Sequence, residues 1–221
     1  MMIIVIDGPA GSGKSSTAKA IANKLDIQYL DSGAIYRAIT LIWLEQDKPS
    51  DEKFFESLSE YEIQFDFTDS TFFVNINGHN VTDRIRSEEV SNNVSEIAAK
   101  KNIRGYVNSL MRETVKKDGI FIADGRDLGT AVFPDAALKF YMDASVEERA
   151  RRRFNELNHT NGNISEADIK KNIMQRDKKD STRSADPLKK ADDAVYIDTS
   201  ELTFDEQVNK ISSVIKKRIL N

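Results

Sequence analysis

The chain has 221 residues, 39% hydrophobic and 31% charged, with a formal net charge of −4; it has material for a core and lacks the basic excess of a bulk nucleic-acid or anionic-membrane binder. It contains no cysteine, which excludes disulfides, thiolate metal sites and thiol catalysis, and its two histidines, His79 and His159, stand in polar turn-like stretches that suggest solvated loops. No apolar stretch approaches the ~18 residues of a membrane span and no signal-peptide pattern opens the chain, so a cytoplasmic protein is expected.

In chain order, the apolar run Ile3–Ile6 predicts a buried strand, and it leads into Gly8-Pro9-Ala10-Gly11-Ser12-Gly13-Lys14-Ser15. This is a complete G-x-x-x-x-G-K-[ST] phosphate loop. Glycines let the backbone curl with its N–H groups turned inward, Lys14 brings a positive charge to the β- and γ-phosphates, and Ser15 offers a hydroxyl to Mg²⁺. A helical pattern with Ala18, Ile21, Ala22 and Leu25 follows, so a helix N-terminus faces the same anion. ATP or another nucleoside triphosphate is the expected ligand.

A second strand, Ile27–Leu30, ends at Asp31-Ser32-Gly33-Ala34-Ile35-Tyr36-Arg37, where Ser32 is expected to cap a helix and Arg37 to stand near its N-terminus. A short helix near 51–60 precedes a change of period. Ile63, Phe65 and Phe67 alternate, then Phe72, Val74 and Ile76, with Asn77-Gly78 as a hairpin turn. A small antiparallel insert is expected, its aromatics forming the insert's own core. Helices near 87–117 lead to the strand Ile120–Ala123 and the turn Asp124-Gly125-Arg126-Asp127. A strand at Leu138–Met142 is followed by the arginine-rich helix that carries Arg149, Arg151, Arg152 and Arg153. A turn-rich tip at 158–163 and a second charged stretch, Arg176 to Pro187, complete a flap-like hairpin. Ala194–Ile197 is the fifth core strand, and a last helix sets Phe204, Val208, Ile211, Ile215 and Ile219 on one face.

Short apolar strands separated by helices predict an α/β fold with a parallel sheet. Asp7, Asp31 and Asp124 would then meet at the carboxyl ends of three strands, where such sheets bind ligands.

Together, Gly8–Ser15, Asp31–Arg37, Ile85–Val90, Ile122–Asp127 and Arg176–Pro187 resemble the bacterial cytidylate kinases over essentially the whole chain. The resemblance implies transfer of the ATP γ-phosphoryl group to CMP or dCMP with Mg²⁺, by a monomer acting in pyrimidine nucleotide metabolism. It implies a P-loop kinase with a five-stranded parallel sheet flanked by helices, a small antiparallel nucleoside-monophosphate-binding insert and a helical lid. One P-loop kinase domain over 1–221 would comprise a core (about 1–36, 118–147 and 185–221), the insert (about 37–117) and the lid (about 148–184).

Carried over residue by residue, Arg37, Arg126 and Arg183 would grip the monophosphate, with Ser32, Tyr36 and Gly125 beside them. Ser95, Arg104 and Asp127 would read cytosine, and Arg176 and Asp180 would stand near the ribose. Cytosine presents an N4 amino donor beside the N3 and O2 acceptors. Asp127 can accept from N4 while Arg104 donates to N3 or O2; uracil reverses that pattern, and each buried group left unpaired costs ~1–3 kcal/mol. Lys14, Arg126, Arg149, Arg152, Arg153, Arg176 and Arg183 would supply the charge for catalysis. Asp7, Asp31 and Asp124 are all candidates to hold magnesium-bound waters, with Ser15 as the metal ligand.

Rival readings are a P-loop kinase of another small acceptor such as shikimate, a guanine-nucleotide switch, and a nucleic-acid-binding ATPase. The insert and Asp124–Asp127 speak against the first. The second would want an Asn-Lys-x-Asp guanine reader, which this chain is expected to lack, and the −4 charge weighs against the third.

Overall fold

The pattern of short buried strands and intervening helices is realised, in a computed structural model that describes residues 2–68, 71–116, 119–158 and 165–220. The elements are β1 (Met2–Asp7), α1 (Lys14–Leu25), β2 (Gln28–Asp31), α2 (Ser32–Glu45), α3 (Asp51–Ser57), β3 (Ile63–Thr68), β4 (Thr71–Ile76) and β5 (His79–Asn80). They continue with α4 (Glu88–Ile97), α5 (Lys101–Thr114), β6 (Ile120–Gly125), β7 (Leu138–Asp143), α6 (Val146–Asn158), α7 (Glu166–Thr182), β8 (Val195–Asp198) and α8 (Phe204–Ile215).

One parallel sheet has the order β2-β6-β1-β7-β8. With β1 in the middle, Ile3 to Ile6 are buried throughout, as a strand covered on both faces requires. The register sets Ile6 beside Asp124, Asp7 beside Gly125 and Asp31 beside Asp124. Three acid-bearing strand ends therefore finish level.

α2 is buried around most of its circumference, packed by α4 and by β4. Its cap corrects the expectation for Ser32. Asp31, in an extended conformation, accepts from the Ala34 amide at 2.9 Å, whereas Ser32 is already helical and its Oγ donates to the Asp124 carbonyl at 2.5 Å. The serine ties the helix start to β6 instead of capping it.

The insert is a three-stranded antiparallel sheet, β3-β4-β5, turned at Asn77-Gly78 with φ of 50° and 77°, the left-handed pair that a tight hairpin needs. Its core is not its own. Phe65 stacks on Phe72 at 5.2 Å, and Phe67 meets Phe121 of β6 edge-on at 5.6 Å, so its aromatics extend the main core.

α6 and α7 lie against each other around a separate small cluster of Ala150, Ile169 and Ile173. The tip expected at 158–163, with His159, lies outside the described residues except for Asn158, which closes α6. His79 is exposed. α8 starts with a capping box of Thr203 and Glu206 and buries Val208, Ile211 and Ile215 as its spacing predicts. Phe204, at the first position of that helix, is instead 47% exposed.

The turn after β6, Leu128–Val132, is pinned to β1 by Asp7, whose two carboxylate oxygens accept from the Leu128 amide at 2.9 Å and the Gly129 amide at 2.7 Å. Burial pushes the Asp7 pKa up from 3.8 to about 6, against the pull of those two amides. The folded state thus binds the proton more tightly than the unfolded one. Asp7's contribution is least favourable above pH 6 and becomes more favourable as the pH falls from 6 towards 4, by about 2 kcal/mol. Urea unfolding of the wild type and of Asp7→Asn from pH 7 to pH 4 should show the wild type gaining that amount on the variant. A constant difference would contradict the buried, ionised Asp7.

Candidate active site

The phosphate loop bends at once after β1. Gly8 is required by space, since a Cβ there would lie 1.9 Å from the Met142 carbonyl oxygen of β7. Gly13, at φ 86°, turns the chain into α1. Lys14 is buried, and its Nζ donates to the Pro9 carbonyl at 2.7 Å within the loop. Burial, and then the charge of Arg126, hold its pKa well below the usual lysine range.

Ser15 Oγ donates to Asp124 Oδ2 at 2.6 Å, and Tyr29 Oη of β2 donates to Asp124 Oδ1 at 2.6 Å. Burial, and then the charge of Asp31, raise the Asp124 pKa. The other two candidate carboxylates are committed elsewhere: Asp7 to backbone amides, Asp31 to the α2 cap and, at 3.4 Å, to Arg86. Of the three, Asp124 alone joins the loop's hydroxyl.

Ser15 and Asp124 also form one wall of a cavity of about 190 Å³. All eleven residues expected at the monophosphate site line it: Ser32, Tyr36, Arg37, Ser95, Arg104, Gly125, Arg126, Asp127, Arg176, Asp180 and Arg183. They come from α2, α4, α5, the β6 turn and α7 with its C-cap Arg183.

In the lining of the cavity stands a carboxylate between two guanidinium groups. Asp127 Oδ2 accepts from Arg104 Nη2, and Asp127 Oδ1 accepts from Arg183 Nη2 at 2.9 Å. Burial raises the Asp127 pKa, and Arg104 and Arg183 pull it back. Arg104 is 1% exposed and lies over the Tyr36 ring at 5.5 Å. The Tyr36 hydroxyl is buried and has no hydrogen-bond partner among the described residues.

Beside that pair, positive charge is in excess. Arg126 Nε pairs with Asp180 Oδ2 at 2.9 Å. Arg176 has its pKa pushed down to about 10, by burial and then by Arg126, with Asp180 opposing and Arg37 and Arg153 adding to the depression. Several arginines around one carboxylate make an anion site.

The three arginines expected to be delivered by the flap do not line this cavity. Arg149 is buried and donates to the carbonyls of Ala144 at 3.0 Å and Ala10 at 2.9 Å. It also pairs with Asp177, whose other oxygen accepts from the Ala10 amide at 3.0 Å. Arg149 therefore braces the phosphate loop. Arg152 reaches the Thr199 carbonyl after β8 and comes within 3.6 Å of where a Gly13 Cβ would lie. Arg153 is 52% exposed and pairs with Glu156.

Sequence reading missed Asp177, Asp186 and Arg86 as members or supports of the site. Nothing in their spacing distinguishes them from solvated charges; only the crossing of distant segments gives them partners. The letters Asn-Lys-x-Asp do occur, at Asn23-Lys24-Leu25-Asp26, which corrects the expectation that the chain lacks them. They close α1, whose 12 residues place them ~18 Å from the phosphate loop at its start. Lys24 bonds Asn209 of α8 there, so no guanine is read by them.

A family model described as cytidylate kinase matches residues 4–217. A cytidylate kinase of Bacillus cereus (strain ATCC 10987 / NRS 248) is 44% identical over 214 residues, covering 96% of this chain and 95% of its own. One of Bacillus thuringiensis (strain Al Hakam) matches with the same identity and coverage. Among solved structures, an uncharacterized protein from Eubacterium ventriosum ATCC 27560 shares the fold, with a TM-score of 0.54 at 11% identity over 99% of this chain and 100% of its own.

The brace predicts a sharp difference between neighbouring arginines. Arg149→Met strands the partly buried Asp177 and two carbonyls, and should lower the unfolding free energy by about 3 kcal/mol. Arg153→Ala should change it by less than about 0.5 kcal/mol, as an exposed pair does. Equal losses in urea titrations of the two variants would refute the distinction.

Proposed function

The chain belongs to the cytidylate kinase family, and we propose that its phosphate loop holds ATP while the adjoining cavity holds CMP or dCMP, so that the γ-phosphoryl group passes directly between them. The activity is ATP:CMP phosphotransfer, giving CDP. One observation carries the two-nucleotide reading. The arginine-rich cavity is lined by Ser15 of the phosphate loop and by Asp124, to which that serine bonds, so a second anion site abuts the first.

In this reading the monophosphate takes Arg37, Arg126 and Arg176, together with the unpartnered Tyr36 hydroxyl. Arg183, now turned to Asp127, offers its remaining N–H groups to the same phosphate. Asp127 holds one oxygen to each of two arginines, and each oxygen keeps a lone pair for the cytosine N4 amino group. Arg104, fixed by the protein through Nε, Nη1 and Nη2, keeps two N–H groups for N3 and O2, with Ser95 beside them. Asp180 stands near the ribose, where accepting from one hydroxyl leaves room for dCMP.

The acceptor phosphate is already anionic, so no general base is needed. The protein aligns donor and acceptor, excludes water and neutralises the equatorial oxygens. Lys14, released from the Pro9 carbonyl, would move to the β- and γ-phosphates, with Arg126 and Arg176 across the transferring group and Arg152 above Gly13. Arg149 acts by bracing the loop. The segments about 37–117 and 148–184 serve as the monophosphate-binding insert and the lid of a core built from about 1–36, 118–147 and 185–221.

The corner at Ser15 suits Mg²⁺. Its donors are oxygens, and Asp124 beside Asp31 leaves buried negative charge that a dication would relieve. Among the described residues no group of three or more His, Cys, Asp or Glu could hold a metal, so the ion would arrive with the triphosphate. Ser15 would hold it, with Asp124 in support, and when bound it would offset charge on the β- and γ-oxygens.

A coupled assay of ADP production with CMP, dCMP, UMP, AMP and shikimate tests the reading; turnover should be highest with CMP and dCMP, and acceptor-independent ADP production would defeat it. Arg126→Ala should depress kcat about a hundredfold or more, a larger factor than the rise in Kd for CMP that losing one phosphate contact brings, and unchanged turnover would remove that role. Asp127→Ala should shrink the CMP-over-UMP preference about tenfold or more, and an unaltered ratio would remove it as a base reader.

A further inference from the structure

Asp186 lies just beyond α7 and carries none of the roles assigned above, yet two cavity arginines depend on it. Its Oδ2 accepts from Arg104 Nε at 2.9 Å. Its main-chain carbonyl accepts from Arg183 Nε at 2.8 Å and also from Arg183 Nη2. One residue therefore holds the Nε edge of both guanidinium groups, and each group turns its Nη2 to the same carboxylate, Asp127.

The backbone at Asp186 is unusual. It sits at φ 46°, a left-handed conformation that costs most side chains and that Asn, Asp and Gly tolerate. Pro187 follows, which restricts the residue before it further. Chain direction at this point is what aims the carbonyl at Arg183 while the side chain reaches back to α5. The Asp186 side chain is one-third exposed, whereas its partner on Arg104 is buried, so this carboxylate adds little to the core and much to the aim of a guanidinium fork.

We propose that Asp186 is a positioning residue for pyrimidine recognition: its carboxylate fixes the roll of Arg104 about the Asp127 pair, and its carbonyl fixes Arg183, so that base reader and phosphate grip are set by one left-handed residue. The inference rests on the proposed roles of Arg104 and Arg183. A guanidinium held at Nε and at one Nη cannot rotate about its axis, and its remaining N–H groups point in one direction only. Losing the Nε contact leaves Arg104 anchored by Asp127 and Ala98 alone. The barrier to misaligned poses falls, and binding of the correct base should suffer more than the phosphoryl step.

The test compares Asp186→Gly, Asp186→Asn and, as a control on the underlying reading, Arg104→Met, in the full chain with ATP and CMP varied separately. Gly keeps the left-handed backbone and the carbonyl but removes the carboxylate; Asn keeps the backbone and one acceptor oxygen. Asp186→Gly should raise KM for CMP about tenfold, the loss of one hydrogen bond to a charged group, with kcat and KM for ATP changed less than about threefold. Asp186→Asn should restore KM for CMP to within about threefold of the wild type. Asp186→Gly added to Arg104→Met should raise KM no further, since the two act through one group.

If Arg104→Met raises KM for CMP and Asp186→Gly does not, the positioning role is wrong and the base-reading site stands. If Asp186→Gly raises KM for ATP as much as for CMP, or Asn fails to restore it, Asp186 merely supports the chain, and the proposal is overturned. If Arg104→Met itself leaves KM for CMP unchanged, the reading of the cavity fails and the proposal falls with it.

Discussion

Four carboxylates, Asp7, Asp31, Asp124 and Asp127, are buried at the carboxyl end of one parallel sheet, and the rest of the site is arranged around that constraint. A buried carboxylate without partners is strongly destabilising, so each must be satisfied. They are satisfied in four different ways. Asp7 takes two backbone amides, Asp31 caps a helix, Asp124 takes the hydroxyls of Ser15 and Tyr29, and Asp127 takes two arginines. Those choices separate structural acids from chemical ones. Asp7 is consumed by the backbone, whereas Asp31, Asp124 and Asp127 line the cavity, Asp31 with one oxygen spent on the helix cap.

The arginines divide along the same line. Arg149 is closed in by carbonyls and Asp177, and its effect is to hold the phosphate loop at Ala10 from the far side of the flap. Arg104 and Arg183 are paired but aimed, with donors left over. Around Arg126 and Arg176 the balance is unfinished: Asp180 faces more cations than it can neutralise, and burial, then repulsion from Arg126, depress the Arg176 pKa. Such an excess is relieved by a phosphate, whereas a completed ion pair has no such need.

Contact between flap and phosphate loop also links the two halves of the site. Asp177 and Asp180 stand on one helix, α7, three residues apart; the first bonds the loop and the second bonds Arg126 in the cavity. A displacement of α7 therefore changes the donor and acceptor sides together. That geometry suits a kinase whose site is complete only when both nucleotides are held.

Much of this was legible in the sequence. Period determines the sheet and its helices, because a strand covered on both faces must be apolar throughout, as Ile3–Ile6 is, and the phosphate loop is written in contiguous residues whose glycines are demanded by φ and by the Met142 carbonyl. The cavity residues were legible only as clusters following strand ends. Tertiary structure decided which charges meet. That Ser32 ties α2 to β6, that Phe67 joins the main core, that Arg149 braces the phosphate loop, and that Asp186 reaches Arg104 all depend on segments tens of residues apart. A side chain's periodicity fixes the face it occupies, but the partner that neutralises a charge is set by the crossing of chains, and local sequence carries no record of that.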